Sequence, residues 1–173
     1  MTEDSEIERL KKQLKLVPHP SGYGAFREMW KGDRQVTFTT ETRHGGARAP
    51  GTSIYFLLAA PNCVNWHKHL SDEGFYWHAG GRVKIHIIKD DGSHSCHVLG
   101  DVLKYEECVA QIVVPHDTWY SAELLPDEKF SLYSAVVMPG FEFEDWIEGK
   151  RADLLEQFPQ HKELIAKLTD ASK

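Results

Sequence analysis

Long apolar runs and cysteines are both scarce in this sequence. No stretch reaches the roughly 18 consecutive apolar residues that a membrane-spanning helix needs. The first residues, MTEDSEIERLKKQ, are charged and lack the apolar core of a secretory signal. The three cysteines, Cys63, Cys96 and Cys108, are an odd number without close pairing, which favours free thiols in a reducing compartment. These absences predict a cytoplasmic protein with no membrane partner.

Positive charge is also in short supply. Lysine and arginine together number 20 against 26 aspartates and glutamates, which gives a formal net charge of -6. Since nucleic-acid-binding proteins usually present a basic surface, this balance disfavours a nucleic-acid partner. What the sequence does contain is 41% hydrophobic and 27% charged residues in a chain of 173, a composition typical of one globular domain.

Helical patterns are confined to the two ends of the chain. Apolar residues at helical spacing from Ile7 to Leu14 predict a helix from 4 to about 15, within an N-terminal arm of residues 1–16. A similar pattern predicts C-terminal helices within residues 144–173, which we expect to pack on the central part of the chain.

The central region, residues 17–143, has the pattern of short strands. About eight or nine apolar or alternating stretches are separated by turn residues, as DDGS at 90–93 illustrates. One predicted strand, QVTFTTET at 35–42, alternates apolar and polar residues as a half-buried strand does. Many short strands at even spacing predict an all-β sandwich or barrel.

The stretch NWHKHLSDEGFYWHAGG, residues 65–81, carries a metal-ligand pattern. His67 and His69 are two residues apart, so on a strand both side chains face the same way. Glu73 follows a predicted turn and can approach the same point from the next strand. Two histidines and one carboxylate form a triad with open coordination positions, which suits a divalent transition metal such as Fe, Mn, Ni, Zn or Cu. The full spacing, with the glycine that follows, has a chance expectation of roughly 0.004.

Two segments resemble the motifs of the cupin superfamily. HKHLSDEGFYWHAG matches the first motif, H-x-H-x3-E-x6-G, and its glycine is Gly80. PHDTWY at 115–120 resembles the second motif, P-x-G-x2-H, with Asp117 in place of the glycine and Tyr120 in place of the histidine. The first motif is therefore intact and the second is degraded.

Blocks along almost the whole chain resemble the cupin-5-type family, a group of RmlC-like cupins most of which have no assigned function. The blocks include LVPHPSGYGAFREMW, WHKHLSDE, VVPHDTWYSAEL and VVMPGFEFEDW. The resemblance implies a cupin jelly-roll β-barrel with its pocket inside, and a homodimer. An eight-stranded barrel can enclose one small ligand, which agrees with the strand count.

Tyr120 is a further candidate for the metal site. A phenol can coordinate a metal, or it can act together with Glu73 as a catalytic acid or base. The alternative is an ordinary barrel tyrosine whose hydroxyl is hydrogen-bonded. The sequence leaves these possibilities open.

Four other residues are candidates for a substrate pocket. Phe75 and Trp77 share the strand parity of Glu73 and are expected to face the same cavity, or to pack in the core. Tyr23 and Arg27 lie in the block YGAFRE, which resembles the family stretch GGYFRE. Arg27 could bind an anionic substrate through two hydrogen bonds, or it could pair with a carboxylate such as that of Glu142.

Three functions fit these patterns. The first is a metal-dependent enzyme that acts on a small molecule, of the oxygenase, isomerase or lyase type. The second is a metal-free sugar epimerase or isomerase, whose activity would survive chelation. The third is a non-catalytic module that binds a small ligand and is stabilised by it without turnover.

Overall fold

The structure is a computed structural model that describes residues 3–37 and 43–169. Its strands are β1 Val17–Pro18, β2 Ala25–Lys31, β3 Thr52–Ala59, β4 Cys63–His69, β5 Asp72–Gly80, β6 Val83–Ile88, β7 His94–Leu99, β8 Cys108–Val109, β9 Gln111–Val114, β10 Trp119–Leu124, β11 Phe130–Met138 and β12 Trp146–Glu148. Its α-helices are α1 Glu3–Leu14, α2 Arg151–Gln157 and α3 Lys162–Lys167, and 3-10 helices span Phe143–Asp145 and Pro159–His161.

The strands form two six-stranded sheets that face each other. The first sheet has the order β1-β2-β3-β11-β5-β9, and the second has the order β12-β4-β10-β6-β7-β8. Neighbours such as β3 and β11, or β4 and β10, are distant in sequence and antiparallel, as in a jelly roll. Apolar side chains from both sheets fill the space between them. The predicted all-β cupin jelly roll is confirmed.

Helices cover the outer faces of the two sheets. On the first sheet, α1 directs Ile7, Leu10 and Leu14 towards a buried cluster that includes Leu57 and Leu132. The second sheet is covered by α2, α3 and the turn between them, whose apolar side chains pack on Trp66, Ile88 and Trp119. The N-terminal and C-terminal helices expected from the sequence are therefore both present. Among the described residues, no helix is both long enough and apolar enough to cross a membrane.

The predicted strand at 35–42 lies largely outside the described residues. Of its first three residues, Val36 forms an isolated antiparallel bridge with Arg48. Its remaining residues, 38–42, belong to the part of the chain that the structure does not describe.

A β-bulge in β4 sets the direction of the side chains that matter most for function. In the pairing of β4 with β10, Val64 lies opposite Ala122 and His67 lies opposite Tyr120, so β4 contains one residue more than its partner between these two points. The extra residue shifts the alternation of side chains along the strand. Val64 and His67 consequently both face the interior, although they are three residues apart, while Trp66 packs under the C-terminal helices.

Candidate metal centre

The triad predicted from the sequence comes together between the sheets. His67 and His69 project from β4 of the second sheet, and Glu73 projects from β5 of the first sheet. One ligand atom from each residue lies within 4.8 Å of the other two, and all three side chains are buried. The short connection between the strands therefore brings ligands from both sheets to one point.

His67 is held in the form that a metal requires. Its Nδ1 lies 2.7 Å from the backbone carbonyl oxygen of Asn65, which can only accept a hydrogen bond. The proton therefore resides on Nδ1, and Nε2 keeps its lone pair as a potential ligand. Burial lowers the pKa of His67 to about 4, so the ring is neutral at pH 7.

The side chains of His69 and Glu73 are in contact, and His69 is neutral. Nε2 of His69 lies 3.3 Å from Oε2 of Glu73, and burial holds the pKa of His69 well below its ordinary value. Nδ1 of His69 is buried without a hydrogen-bond partner among the described residues. Burial also raises the pKa of Glu73 to about 7, because an ionised carboxylate is costly away from water. A divalent cation would compensate this carboxylate, so the donor set fits a metal ion.

Tyr120 lies beside the triad. It pairs with His67 across β10 and β4, and the centres of the two rings are 4.1 Å apart. Its hydroxyl group donates a hydrogen bond to Oε2 of Glu73. Burial, followed by the charge of Glu73, raises the pKa of Tyr120 well above its ordinary value, so the phenol keeps its proton. In this arrangement Tyr120 is a proton donor to one of the candidate ligands.

The degraded second motif retains the backbone geometry that its usual glycine would provide. Asp117 has a φ of 55°, in the left-handed region that glycine adopts readily and aspartate tolerates. Its backbone N–H donates a 2.8 Å hydrogen bond to the carbonyl oxygen of His69. The turn before Tyr120 is therefore tied directly to the strand that carries the two histidines.

The triad lies on the wall of a cavity of about 480 Å³ between the sheets. Tyr23 and Phe75 line this cavity, as the sequence suggested. The lining is mainly apolar and aromatic, which is the usual character of a small-molecule site. The exposed Glu28 and Phe143 are at its open side.

Two of the predicted pocket residues do not line the cavity. Arg27 lies on β2 between Phe26 and Glu28, which both face the cavity, so its side chain points to the opposite side of the sheet. There its guanidinium donates a 3.2 Å hydrogen bond to the carbonyl oxygen of Leu14. The prediction for Arg27 rested only on the resemblance of YGAFRE to a family stretch, and such a resemblance does not show which side of a strand a side chain occupies.

Trp77 packs at the edge of the core rather than in the cavity lining. Its indole N–H donates a 3.3 Å hydrogen bond to the carbonyl oxygen of Gly81, beyond the end of β5. The pairing of β5 with β11 shifts register next to Trp77, between Leu132 and Tyr133. The shift lies between Trp77 and Ala79, and Trp77 pairs with the cavity residue Tyr133, so Trp77 keeps the interior facing of Glu73 but does not reach the cavity lining.

Several cavity residues were not predicted, because they come from segments distant from the motif. His19 comes from the loop between β1 and β2, Phe26 and Glu28 come from β2, and Trp146 and Glu148 come from β12. The alternation of Phe26 with Glu28, and of Trp146 with Glu148, is the signal that could have identified them. Using it requires knowing which face of each strand is internal.

Glu148 belongs to a small polar network next to His67. It lies opposite His67 in the pairing of β12 with β4, and it accepts a hydrogen bond from the hydroxyl of Tyr23. Tyr23 also forms a side-chain hydrogen bond with Asn65, whose backbone carbonyl orients the His67 ring. The network connects the loop before β2, strand β12 and one of the candidate metal ligands.

Comparisons with known proteins agree with this fold. Residues 8–147 match the family described as Cupin superfamily (DUF985). The uncharacterised protein YML079W of Saccharomyces cerevisiae is 31% identical over 155 residues, which cover 82% of this chain and 74% of the yeast protein. A hypothetical protein from Leishmania major has a solved structure with a TM-score of 0.83 and 28% identity, covering 94% of this chain and 97% of that one.

A more distant likeness concerns the fold alone. The structure of an oxalate decarboxylase from Lactobacillus farciminis, in a complex with formate, has a TM-score of 0.55 and 11% identity, and the match covers 91% of this chain and 43% of that one. Two facing sheets that enclose a His-His-Glu group define a cupin with a candidate metal centre. Within that superfamily, the chain belongs to the Cupin_5 (DUF985) family.

Proposed function

We propose that this cupin is a metal-dependent enzyme that acts on a small molecule, with His67, His69 and Glu73 as the ligands of one divalent transition metal. The observation that carries the proposal is that three buried ligand atoms lie within 4.8 Å of one another on the wall of a largely apolar cavity. A facial triad of this type leaves coordination positions open on the cavity side. Iron, manganese, nickel, zinc and copper all suit such ligands.

The surrounding residues have definable roles in such a site. When bound, a metal would supply Lewis acidity or a position for oxygen. Asn65 fixes the tautomer of His67 through its carbonyl oxygen, and Tyr120 holds a proton at its hydroxyl next to Glu73. From that place the hydroxyl can orient Glu73 or pass its proton to a substrate in the cavity. The apolar lining limits water around these groups, which strengthens the polar contacts inside.

Elemental analysis of the purified, untagged protein tests the proposal. We expect close to one equivalent of transition metal in the wild type and a loss of that metal in His69→Ala. A matched control is His97→Ala, because His97 is exposed and lies on β7, outside the triad. Absence of metal from the wild type, together with no thermal shift on adding Fe(II), Mn(II), Ni(II), Zn(II) or Cu(II), would overturn the proposal.

A metal-free acid–base enzyme is the second candidate function. The observation in its favour is the hydrogen-bonded pair of Tyr120 and Glu73, a buried phenol and carboxyl group that both border the cavity. Such a pair could move a proton between two positions of a substrate, as an isomerase or epimerase does. Turnover that persists after chelation and is lost in Tyr120→Phe would favour this function over the first.

We also propose that the protein works in the cytoplasm as a homodimer. The scarcity of cysteine pairs supports the compartment. The resemblance to RmlC-like cupins and an open, partly apolar strand edge support the dimer. Fractionation of cells and measurement of molar mass in solution test these two points separately.

A further inference from the structure

The charges around the cavity differ in sign from those of a typical anion-binding site. Three glutamates line it, Glu28, Glu73 and Glu148. Among the described residues that form the lining, none is lysine or arginine. Its histidines are mostly uncharged at pH 7, because the ordinary pKa of a histidine side chain is about 6.5. A carboxylate or phosphate substrate would therefore find no protein cation in this lining.

The rest of the lining is rich in aromatic side chains. The faces of such rings carry negative electrostatic potential and attract organic cations, most strongly where water is excluded. The aromatic lining residues are Tyr23, Phe26, Phe56, Phe75, Tyr120, Tyr133, Phe141, Phe143 and Trp146. Aromatic rings combined with carboxylates are the chemistry that recognises an ammonium group on an apolar body.

A metal ion at the triad does not reverse this charge balance. The three carboxylates outweigh the two positive charges of a divalent ion when all are ionised. Glu148 is also close to the triad, since it lies opposite His67 in the β12–β4 pairing. The metal would thus attract a neutral donor atom, such as a hydroxyl oxygen, while the negative charges elsewhere in the cavity favour a cation.

We propose that the cavity selects a small organic cation, an amine or quaternary ammonium compound with an apolar or aromatic body, and discriminates against carboxylates and phosphates. The ammonium group is held by aromatic faces and by the carboxylates of Glu28 and Glu148. This inference deepens the proposed function, because it concerns the same cavity. It does not require a bound metal, so the two can fail separately.

The test is a binding measurement with matched compounds of different charge. Chelator-treated, full-length protein is titrated at pH 7 with aryl and alkyl series in which an amine, an alcohol and a carboxylate share one body, beginning with phenethylamine, 2-phenylethanol and phenylacetate. We expect the dissociation constant of the amine to be lower than that of the matched carboxylate by about tenfold or more. The alcohol should lie between them.

Variants show whether the glutamates cause the preference. Glu28→Gln combined with Glu148→Gln should reduce the ratio between amine and carboxylate to about threefold or less, while binding of the alcohol stays the same. Glu106→Gln is the matched control, since Glu106 is exposed and does not line the cavity. Circular dichroism spectra of all variants check that they fold.

Any of three results would overturn the inference. The carboxylates could bind as tightly as the matched amines, the preference for amines could persist in the double variant, or no amine of either series could bind. Because the protein is free of metal in this experiment, a failure of the metal proposal would not produce these results. Repeating the titration with Zn(II) bound tests the charge argument further. We expect the amine to remain the preferred ligand.

Discussion

At the level of single residues, the protonation of Glu73 links the stability of the protein to its site. Burial raises the pKa of this carboxyl from 4.5 to about 7, so the folded chain holds the proton more tightly than the unfolded chain does. The contribution of Glu73 to the free energy of unfolding is therefore highest below pH 4.5 and is lost as the pH rises to about 7. A shift of this size corresponds to about 3 kcal/mol.

Replacing Glu73 with glutamine should remove this penalty. In metal-free protein we expect Glu73→Gln to raise the free energy of unfolding by up to about 3 kcal/mol at pH 8, and to have little effect near pH 4.5. Glutamine keeps the shape of the side chain and an oxygen that can accept from Tyr120. Urea unfolding across this pH range measures the difference. A difference that does not change with pH would contradict the explanation.

The same substitution should abolish stabilisation by metal. The carboxylate is the anionic member of the candidate triad, and an amide oxygen is a much weaker ligand for transition metals. Thermal unfolding with and without Zn(II) should show a shift for the wild type and little or none for Glu73→Gln. Such a variant would be more stable when metal-free and yet inactive in metal-dependent turnover.

An experiment can distinguish two roles of Tyr120, namely positioning Glu73 and coordinating the metal directly. In the structure its hydroxyl donates to Glu73 and thereby lowers the pKa of that carboxyl. Tyr120→Phe should therefore let protons compete better with the metal, and weaken Zn(II) binding by about tenfold near pH 6 but much less near pH 8.5. Competition titrations with a chromophoric chelator measure both affinities. An equal loss at both pH values would instead indicate direct coordination by the phenol.

The sequence motif identified the triad because its three members lie within a stretch of seven residues. The residue types and spacing of His67, His69 and Glu73 are those of metal ligands, and the structure brings the three side chains together. The environment of Arg27 could not be predicted in this way, since it depends on where α1 packs and not on the neighbours of Arg27 in sequence. A short stretch of sequence can reveal ligands that lie close together. The side of a sheet that a side chain faces depends instead on tertiary packing.

At the level of secondary-structure elements, small irregularities in the strands determine which side chains reach the cavity. The bulge in β4 lets Val64 and His67 both face the interior, and the register shift between Trp77 and Ala79 ends the regular alternation of β5. Neither irregularity has a clear signature in the sequence, because a bulge depends on the pairing partner as much as on the strand itself. The existence of these strands was therefore predictable, whereas the side of the sheet that each of their side chains faces was not.

Gly80, the last residue of the first motif, ends β5 in a conformation that favours glycine. Its φ is 90°, and a Cβ atom placed there would lie 2.6 Å from the backbone oxygen of Phe130. We expect Gly80→Ala to lower the free energy of unfolding by about 2 kcal/mol or more. Chemical denaturation followed by tryptophan fluorescence measures the loss.

Gly45→Ala is the control for this substitution. A Cβ atom added at Gly45 would have no neighbouring atom within 4 Å, and the residue has no positive φ that would require glycine. Its replacement should change stability by no more than about 0.5 kcal/mol. Equal effects at both positions would show that the motif glycine has no special conformational role.

At the level of the whole molecule, the site is assembled from both ends of the chain. The motif strands supply the triad, but β2 near the N-terminus and β12 near the C-terminus complete the cavity. The many short, evenly spaced strands predicted an all-β sandwich or barrel, and the family resemblance specified the jelly roll. The contribution of β12 was not predicted, because it depends on how the chain returns across the second sheet after β11.

The open edge of the first sheet bears on the proposed homodimer. The two-residue β1 pairs with Ala25 and Phe26, and no described strand pairs with residues 27–31 on that side. Met29 is 43% exposed and Trp30 is 51% exposed, and a register shift between Glu28 and Trp30 interrupts a regular ladder. We therefore expect a second copy to cover these apolar side chains, with few backbone hydrogen bonds across the interface.

Trp30→Glu should convert the dimer into a monomer, because a buried carboxylate without a partner is costly at an interface. Size-exclusion chromatography with light scattering should give twice the mass of one chain for the wild type and the mass of one chain for the variant. Leu103→Glu is the matched control, since Leu103 is 96% exposed in the loop between β7 and β8. A wild-type monomer, or a Trp30→Glu dimer, would show that this edge does not join two copies.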